Sequence, residues 1–274
     1  MYQDATVGMV VPAYNEEQFV TEVIETIPEF VDRIFVVDDC STDGTWSEIM
    51  STVDAMTTLT ASSEQQTPIA DGSGPTRPPF EHSIIPVRHE RNRGRGAAVK
   101  TGYRMALRDN VDVVAVMDAD AQMDPDNLER IVAPIVDGDA DYAKGNRLVD
   151  SSHIEQMSRF RLFGNLLLTG LTRIATGLWD LYDPQNGYTA ISRGALESLS
   201  LSDLYDRYGF LNDLLIRLAV RDMCIAEVPM QALYGDESSG IQYYSFVPKL
   251  SVLLLRGFCW RLWMTYVREI VPGR

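Results

Sequence analysis

The chain has 274 residues, of which 45% are hydrophobic, and this is enough for one large α/β domain with or without an appendage. Its formal net charge of -15 excludes a general nucleic-acid binder, because such proteins draw their affinity from basic patches that contact phosphate. The three cysteines have no metal-type spacing, so the simplest interpretation is a reduced compartment without disulfides. No basic region followed by an apolar run opens the sequence, and a secretion signal is not expected.

The first half of the chain predicts strands that alternate with helices. The predicted strands are short apolar runs at Val7–Val11, Arg33–Val37, Ile84–Arg88 and Val111–Met117. Helical patterns follow them at Glu16–Ile27, from Trp46 and from about Gly96. This alternation is typical of an α/β fold, in which a mostly parallel, Rossmann-like sheet has helices on both faces.

The rest of the chain is less regular. Thr57–His82 is rich in Ser, Thr, Gln, Pro and Gly, and we expect a loop insertion there. The later predicted elements are a helix or helix pair at Ile154–Leu178, a turn at Asp183–Gly187, a helix at Phe210–Arg221 and a strand at Ile225–Pro229.

The C-terminal segment Val247–Val271 is apolar but contains three arginines, which argues against a buried membrane span. On a helical wheel one face carries Val252, Leu255, Phe258, Cys259, Leu262, Trp263 and Tyr266. The other side carries Lys249, Arg256, Arg261 and Arg268. The pattern fits a helix on a membrane surface, or a helix packed on its own domain or a partner; the two tryptophans beside arginines favour the membrane.

Polar residues follow three of the predicted strands. The first strand leads into Pro12-Ala13-Tyr14-Asn15-Glu16, the second into Asp38-Asp39 and the fourth into Asp118-Ala119-Asp120-Ala121-Gln122. In an open parallel sheet, ligands bind beyond the carboxyl ends of the strands. We therefore expect these three sequences to meet along one rim of the sheet and to form the functional site.

The Asp118-Ala119-Asp120 sequence is suited to a divalent metal, because two carboxylates after a strand coordinate a hard cation directly or through water. Such a cation bridges diphosphate oxygens and stabilises a leaving nucleoside diphosphate. A lone pair of this kind is common in turns, so the interpretation depends on the other strand ends. Asp39 is suited to accept hydrogen bonds from an imide N–H or a ribose hydroxyl, and Tyr14 to stack on a base or line its pocket.

A dinucleotide-binding fingerprint is an alternative explanation for Gly94-Arg95-Gly96-Ala97-Ala98-Val99, which follows a strand and opens a helix. Three observations argue against it. Val99 replaces the third small residue, the motif follows the third strand rather than the first, and Asp39 and Asp120 would have no role. Arg93 and Arg95 then become cations at the rim of the site.

Several stretches in order resemble family 2 glycosyltransferases of the GT-A fold, and among them the dolichyl-phosphate or polyprenyl-phosphate β-sugar synthases. The matching stretches are VVPAYNE, VVDDCSTDGT, RNRGRGAAVKTG, MDADAQMDPDNL, KGNR, DPQNGYTAISRGAL and GFLNDLLIRLA, between Val10 and Ala219. The resemblance implies a catalytic domain over residues 1–235, with an insertion at 57–82, and C-terminal amphipathic helices over residues 236–274.

The resemblance also implies roles for single residues. The implied nucleotide-sugar site consists of Pro12, Ala13, Tyr14, Glu16, Val37, Asp39, Asp118, Ala119, Asp120 and Arg147. Mg²⁺ or Mn²⁺ is expected at Asp118, Asp120 and Gln122, and Arg147 is expected beside the donor phosphate or the acceptor. Asp213 lies where many relatives carry a catalytic base, although Asn212 replaces one member of the usual acidic pair.

The implied activity is the metal-dependent, inverting transfer of one sugar from a UDP-hexose or GDP-mannose to a polyprenyl or dolichyl phosphate. This acceptor is already anionic, so it attacks without losing a proton and needs arginines more than a base. The expected location is peripheral, on the cytoplasmic side of the cell membrane. Two alternatives remain open: a transferase with a soluble or protein-linked acceptor, and a non-catalytic subunit that binds nucleotide sugars.

Overall fold

A computed structural model of the protein describes residues 1–64, 83–148, 159–231 and 243–267. Within these residues seven strands form one sheet: β1 (Val7–Ala13), β2 (Arg33–Asp38), β3 (Ser83–Arg88), β4 (Val113–Val116), β5 (Tyr142–Asn146), β6 (Thr189–Ser192) and β7 (Ile225–Pro229). The strand order is β3-β2-β1-β4-β6-β5-β7. In this sheet β6 runs antiparallel to β4 and β5, and the other pairs are parallel.

The direction of the strands decides where the functional residues meet. Because β6 is the reversed strand of the described sheet, the carboxyl ends of the other six strands lie at the same rim. The start of β6 lies there too, which brings the turn before Thr189 to that rim. The pairing of Pro12 with Val37 and of Ala13 with Asp38 places the ends of β1 and β2 side by side.

Eight α-helices connect or flank the described strands. They are α1 (Val20–Glu25), α2 (Thr45–Glu64), α3 (Arg95–Arg108), α4 (Leu128–Val136), α5 (Arg159–Thr176), α6 (Arg193–Ser198), α7 (Phe210–Ala219) and α8 (Tyr243–Leu262). Short 3-10 turns lie at Pro125–Asn127 and Leu201–Asp203, and a π turn at Trp263–Val267 continues α8.

The sheet is buried on both faces, as its continuous apolar strands predict. One face packs against α1, α2 and α4, with Val23, Ile49 and Ile131 in the same core as β1. The other face packs against α3, α6 and α7, with Tyr103 and Leu214 in that core. The expected α/β architecture, with a mostly parallel sheet and helices on both faces, is confirmed.

One expectation about the insertion is wrong. Helix α2 continues to Glu64, so Thr57–Glu64 is helical rather than part of a loop. Five of the eight residues in this stretch are Thr or Ser, which are weak helix formers, but a helix that already exists extends at little cost, because each further residue adds a hydrogen bond. Residues 65–82 of the predicted insertion lie outside the described residues.

Two helices form an outer layer beyond the second face of the sheet. Leu250 and Leu254 of α8 are buried against Leu168 of α5 and Ile216 of α7. Phe258 also packs against this cluster, so part of the apolar face predicted for α8 is turned towards the domain rather than outward. Other apolar side chains of this layer remain exposed: Leu166, Leu167, Ile174, Val252, Leu255, Trp263 and Tyr266. Among the described helices, none combines the length and the hydropathy needed to cross a membrane.

Substitution of Gly102 tests the packing between α3 and β1. A Cβ at Gly102 would clash with the side chain of Val10, whereas a Cβ at Gly170 of α5 meets nothing within 4 Å. We expect Gly102→Ala to lower the free energy of unfolding by about 1–3 kcal/mol through overpacking. The matched change Gly170→Ala should raise it by about 0.4–1 kcal/mol. Urea unfolding of both variants measures the difference, and equal stabilities would contradict the close packing of α3 on the sheet.

Candidate functional site: a cleft at the carboxyl rim of the sheet

A cleft with a volume of about 420 Å³ lies at the carboxyl ends of β1, β2 and β4. Its lining includes residues from all three predicted strand-end sequences: Pro12, Ala13, Tyr14, Glu16, Asp39, Asp118, Ala119 and Asp120. It also includes Asn92, Gly94, Arg95, Ala98, Arg207 and Tyr208. Three segments that are distant in the sequence therefore meet in one cavity.

The loops that follow β1 and β2 are joined by hydrogen bonds. The side-chain oxygen of Asn15 accepts a hydrogen bond from the N–H of Thr42 at 2.9 Å, and the hydroxyl of Ser41 accepts one from the N–H of Asn15 at 2.9 Å. The N–H of Glu16 donates to the hydroxyl of Thr45 at 2.8 Å. These short polar side chains, which predict turns and caps in the sequence, instead hold two site loops in a fixed relation.

Each of the three strand ends contains a residue in the left-handed backbone region. Asn15 has a φ of 59°, Cys40 a φ of 63° and Ala121 a φ of 56°. Asparagine tolerates this conformation, but for the other two residues it costs about 1–3 kcal/mol each. Such backbone strain is concentrated at functional sites, where the surrounding structure maintains it. Its recurrence beside all three acidic strand ends supports a functional role for the cleft.

Asp39 is buried and its carboxylate holds together three segments around the cleft. Its oxygens accept hydrogen bonds from the N–H of Gly94 at 2.6 Å and the N–H of Arg93 at 2.9 Å, at the start of α3. Nδ1 of His89 lies 2.7 Å from Oδ1. Burial raises the pKa of Asp39, but these hydrogen bonds outweigh burial and the net pKa is lowered. The N–H of Arg93 also lies 3.1 Å from Oδ2, so three donors form four hydrogen bonds with this carboxylate, which also lines the cleft.

Asp38 has a different role from its neighbour. Its side chain is fully buried, forms an ion pair with Nε of Arg88 at 3.0 Å and accepts a hydrogen bond from the N–H of Ser41 at 3.0 Å. The carboxylate of Asp38 therefore supports the loop after β2, while Asp39 lines the cleft.

Asp118 forms an ion pair with Arg95, whose Nε lies 2.6 Å from Oδ1. The same guanidinium donates a hydrogen bond to the carbonyl of Gly187 at 3.3 Å. Burial alone lowers the pKa of Arg95, but the nearby Asp118 charge outweighs this effect and the net pKa is raised. A Cβ at Gly187 would meet NH2 of Arg95 at 2.5 Å and Oδ2 of Asp118 at 2.9 Å, so a side chain there would displace this ion pair. Arg95 leaves Oδ2 of Asp118 for another partner.

The residues present fit a divalent metal whose coordination is completed by oxygen atoms of the substrate. The half-buried carboxylates of Asp118 and Asp120 line the same cleft, and the N–H of Gln122 donates to Oδ1 of Asp120 at 3.1 Å. The described residues contain no group of three or more His, Cys, Asp or Glu side chains arranged to hold a metal. Mg²⁺ typically uses one or two carboxylates together with substrate phosphates and water, which matches this pair. The side chain of Gln122 is not among the described residues that line the cleft.

Arg147 lies at the same rim, just after β5, but it is not among the described lining residues of this cleft. Its guanidinium forms two hydrogen bonds with the carboxylate of Asp183, from Nε at 2.8 Å and from NH2 at 3.1 Å. Burial raises the pKa of Asp183, but the Arg147 charge reverses this effect and lowers the net pKa. Lys144 is fully buried beside this pair and bonds the carbonyl of Asp183; burial lowers the pKa of Lys144 to about 8. This network fixes the direction of Arg147.

The predicted base and its neighbour lie in the first turn of α7. Asp213 is buried, accepts a hydrogen bond from the N–H of Tyr205 at 3.0 Å and pairs with Nε of Arg217 at 3.2 Å. Asn212 donates to the hydroxyl of Thr172 at 2.8 Å, and that hydroxyl donates to a backbone carbonyl. An amide suits this buried position because the hydroxyl proton is already used. Neither side chain is among the described residues that line the cleft.

Val37 is an interior residue of β2 with no exposed surface, so the structure places it beside the site rather than in the cleft lining.

The sequence pattern did not indicate three of the lining residues, Asn92, Arg207 and Tyr208, because they lie outside the strand ends. Arg207 comes from the segment before α7, which packs against the start of α3. There the N–H of Ala97 donates to the carbonyl of Asp206 at 2.9 Å. Close backbone contact thus accounts for the glycines of the dinucleotide-like motif, since a Cβ on Gly94 or Gly96 would meet the carbonyl of Asp206 at 2.8 Å.

The seven-stranded sheet with acidic strand ends around one cleft defines an α/β protein of the GT-A class. The chain belongs to glycosyl transferase family 2, whose profile it matches at residues 9–56 and 68–200. It is therefore a glycosyltransferase, as the resemblance implied.

The curated relatives include several transferases with lipid acceptors in their names. A UDP-N-acetylglucosamine–dolichyl-phosphate N-acetylglucosaminyltransferase from Methanococcus voltae is 29% identical over 236 residues, which is 86% of this chain and 88% of the relative. A polyprenol monophosphomannose synthase from Mycolicibacterium smegmatis is 29% identical over 228 residues, covering 81% of this chain and 75% of the relative.

Solved structures of glucosyl-3-phosphoglycerate synthase from Mycobacterium tuberculosis share the fold. One of them, in complex with Mn²⁺ and UDP-glucose, has a TM-score of 0.60 and 20% sequence identity, covering 94% of this chain and 79% of that chain. At this identity the likeness shows the fold alone.

The buried ion pair of Asp213 leads to a test of its predicted role as base. Because its carboxylate is held by Arg217 and the N–H of Tyr205, we expect Asp213→Asn to lower the melting temperature. The turnover number should stay within about tenfold of the wild-type value, whereas removal of a general base lowers it by about 10²–10⁴-fold. Steady-state kinetics and thermal unfolding measure the two effects. Asp203→Asn, in the nearby exposed turn, is the matched control, and a loss in the range of a general base would establish Asp213 as the base.

Proposed function

We propose that this glycosyltransferase moves a single sugar from a nucleotide diphosphate sugar to a polyprenyl or dolichyl phosphate at a membrane surface, with inversion at the anomeric carbon. The observation that carries the proposal is the meeting of Asp39, Asp118 and Asp120 in one cleft. Relatives named as dolichyl-phosphate and polyprenyl-phosphate transferases support the acceptor.

The donor occupies the cleft with its nucleobase towards Asp39 and its diphosphate towards Asp118 and Asp120. Tyr14 is 44% exposed at the cleft and provides a ring against the base. Mg²⁺ or Mn²⁺, when bound by Asp118 and Asp120, would neutralise charge on the departing nucleoside diphosphate. Arg95 limits the repulsion between Asp118 and the phosphates, because it compensates one carboxylate charge beside the site.

A UDP-sugar is the donor that we propose to test first. The carboxylate of Asp39 is an acceptor, and uracil presents an imide N–H to such a group. The relative from Methanococcus voltae has UDP-N-acetylglucosamine in its name. GDP-mannose remains the second donor, because guanine also carries a ring N–H and three curated relatives are named for mannose transfer.

The acceptor phosphate is anionic at neutral pH and attacks the anomeric carbon without a base. Arg207 lines the cleft, and Arg147 is held at the same rim by Asp183; both are suited to guide a phosphate. In-line attack on the face opposite the leaving diphosphate inverts the anomeric centre, so an α-linked donor gives a β-linked product. The chemistry therefore relies on positioning and on charge compensation.

The outer layer formed by α5 and α8 supplies a surface for the membrane. Its exposed apolar side chains include Leu166 and Ile174 on α5, Val252 and Leu255 on α8, and Trp263 in the π turn that continues α8. An aromatic and aliphatic face of this kind enters the interface between head groups and acyl chains. We propose peripheral association with the cytoplasmic side of the membrane through this layer.

Activity with a lipid acceptor is the direct test of the proposed function. Purified protein with Mn²⁺, labelled UDP-N-acetylglucosamine and dolichyl phosphate should yield a labelled lipid that extracts into chloroform. We expect Asp120→Asn to reduce product formation roughly hundredfold or more, because it removes a charge that acts on the developing diphosphate. The control is Asp126→Asn, an exposed carboxylate of the same loop outside the cleft lining, which should retain wild-type activity.

The assay separates the competing functions. Wild-type protein that forms no lipid product with UDP-sugars or GDP-mannose would contradict the lipid acceptor. If the protein instead transfers sugar to a soluble or protein-linked acceptor under the same conditions, that acceptor replaces the lipid phosphate in the proposed function. Donor binding without any transfer would indicate a nucleotide-sugar-binding subunit.

Membrane association is tested by substitutions at exposed positions of α8 and of the π turn that continues it. The double variant Leu255→Gln and Trp263→Gln removes apolar area that is already exposed, so the fold should persist. Each lost apolar contact with the membrane is worth about 1.5–3 kcal/mol, so we expect vesicle binding to weaken at least tenfold. Co-sedimentation with anionic lipid vesicles measures the binding, and Ala55→Gln, at an exposed position of α2, is the control. Undiminished binding of the double variant would contradict a role for this face.

A further inference from the structure

His89 is a buried histidine beside the donor side of the cleft, directly after β3. Its Nδ1 lies 2.7 Å from Oδ1 of Asp39, and its Nε2 lies 2.9 Å from the hydroxyl oxygen of Thr101 on α3. It is not among the described lining residues of the cleft, so it contacts the cleft through Asp39. The ring therefore joins the end of β3 to both β2 and α3.

The hydrogen-bond partners decide which ring nitrogen donates to Asp39. The ionised carboxylate of Asp39 has only acceptors to offer, so Nδ1 carries the proton that it donates to Oδ1. The hydroxyl of Thr101 lies within hydrogen-bond distance of both Nε2 of His89 and the carbonyl of Ala97, so the bond at Nε2 runs in either direction.

The charged groups near the ring belong to the loop after β2 and to the end of β3. Asp39 supplies the negative charge from the loop after β2, and α3 supplies the uncharged hydroxyl of Thr101. The preceding residue, Arg88, points to Asp38 and to the carbonyl of Ser41. In the described part of the chain, the charged group in hydrogen-bond contact with the ring is the carboxylate of Asp39.

We propose that His89 is a positioning residue that donates from Nδ1 to the Asp39 carboxylate and holds it in one orientation for the nucleobase of the donor. This inference rests on the proposed function, in which Asp39 accepts a hydrogen bond from the base. His89 and the N–H groups of Arg93 and Gly94 form four hydrogen bonds with the carboxylate, because the N–H of Arg93 lies 2.9 Å from Oδ1 and 3.1 Å from Oδ2. Without His89, only the N–H groups before α3 hold the carboxylate, so its orientation towards the base is less fixed.

The proton on Nδ1 of His89 is measured by nitrogen NMR of the three histidine rings, His82, His89 and His153. Comparison with His89→Gln assigns the signal. We expect Nδ1 of His89 to carry a proton in the wild type and in Thr101→Val, because its acceptor is Asp39 rather than Thr101. A wild-type ring protonated on Nε2 alone would overturn the proposal.

The positioning role is measured by calorimetric binding of UDP and GDP. We expect His89→Phe to weaken UDP binding roughly tenfold, because one charged hydrogen bond to Asp39 is lost, and His89→Gln to recover part of it with its side-chain amide. The Michaelis constant for the donor should rise while the turnover number changes little. Thermal unfolding of each variant shows whether it is folded.

The outcomes distinguish this inference from the proposed function. If wild-type protein forms the lipid product and His89→Phe binds UDP as tightly as wild type, the role of His89 is wrong and the proposed function stands. If folded wild-type protein binds neither UDP nor GDP, the proposed function fails and the nucleobase role of His89 fails with it.

Discussion

The carboxylate of Asp39 is the point at which the donor side of the cleft is held together. It accepts hydrogen bonds from the start of α3 and from His89 after β3, while its own backbone continues β2. The ends of β2 and β3 and the start of α3 are thereby joined by one buried negative charge. Burying such a charge is costly unless donors surround it, and here three donors do so. The floor of the cleft therefore exists in one arrangement before any donor binds.

Charge compensation is the second constraint. The whole chain carries a formal net charge of -15, yet its proposed ligands are a diphosphate and a phosphate. At the rim this repulsion is offset locally, by Arg95 on Asp118 and by Arg207 in the lining, while Asp183 holds Arg147 nearby. Asp118 and Asp120 line the same cleft and are the carboxylates that we propose hold the cation. The site thus concentrates positive charge where an acidic protein needs it.

The meeting of Asp39, Asp118 and Asp120 was predictable from the sequence, because parallel strands deliver their carboxyl ends to one rim. The extent of α2 was not, since Ser and Thr favour turns locally and only the existing helix carries them on to Glu64. Arg207 and Tyr208 were missed because long-range packing, through backbone contact with the start of α3, brings them to the cleft. The partners of His89 and Asp213 likewise depend on tertiary contacts that no local pattern encodes.

Helix α8 meets α7 at Gly257, where any side chain would strike Ile216, and Leu250 and Leu254 cover the same core. The C-terminal helix is consequently a wall of the domain and cannot be treated as a detachable tail. Deleting it would uncover Ile216 and Leu168 to water and compromise the folded state itself. A truncated protein that leaves the membrane fraction would thus report on folding, and only substitutions that spare the inner side of α8 can separate anchoring from architecture.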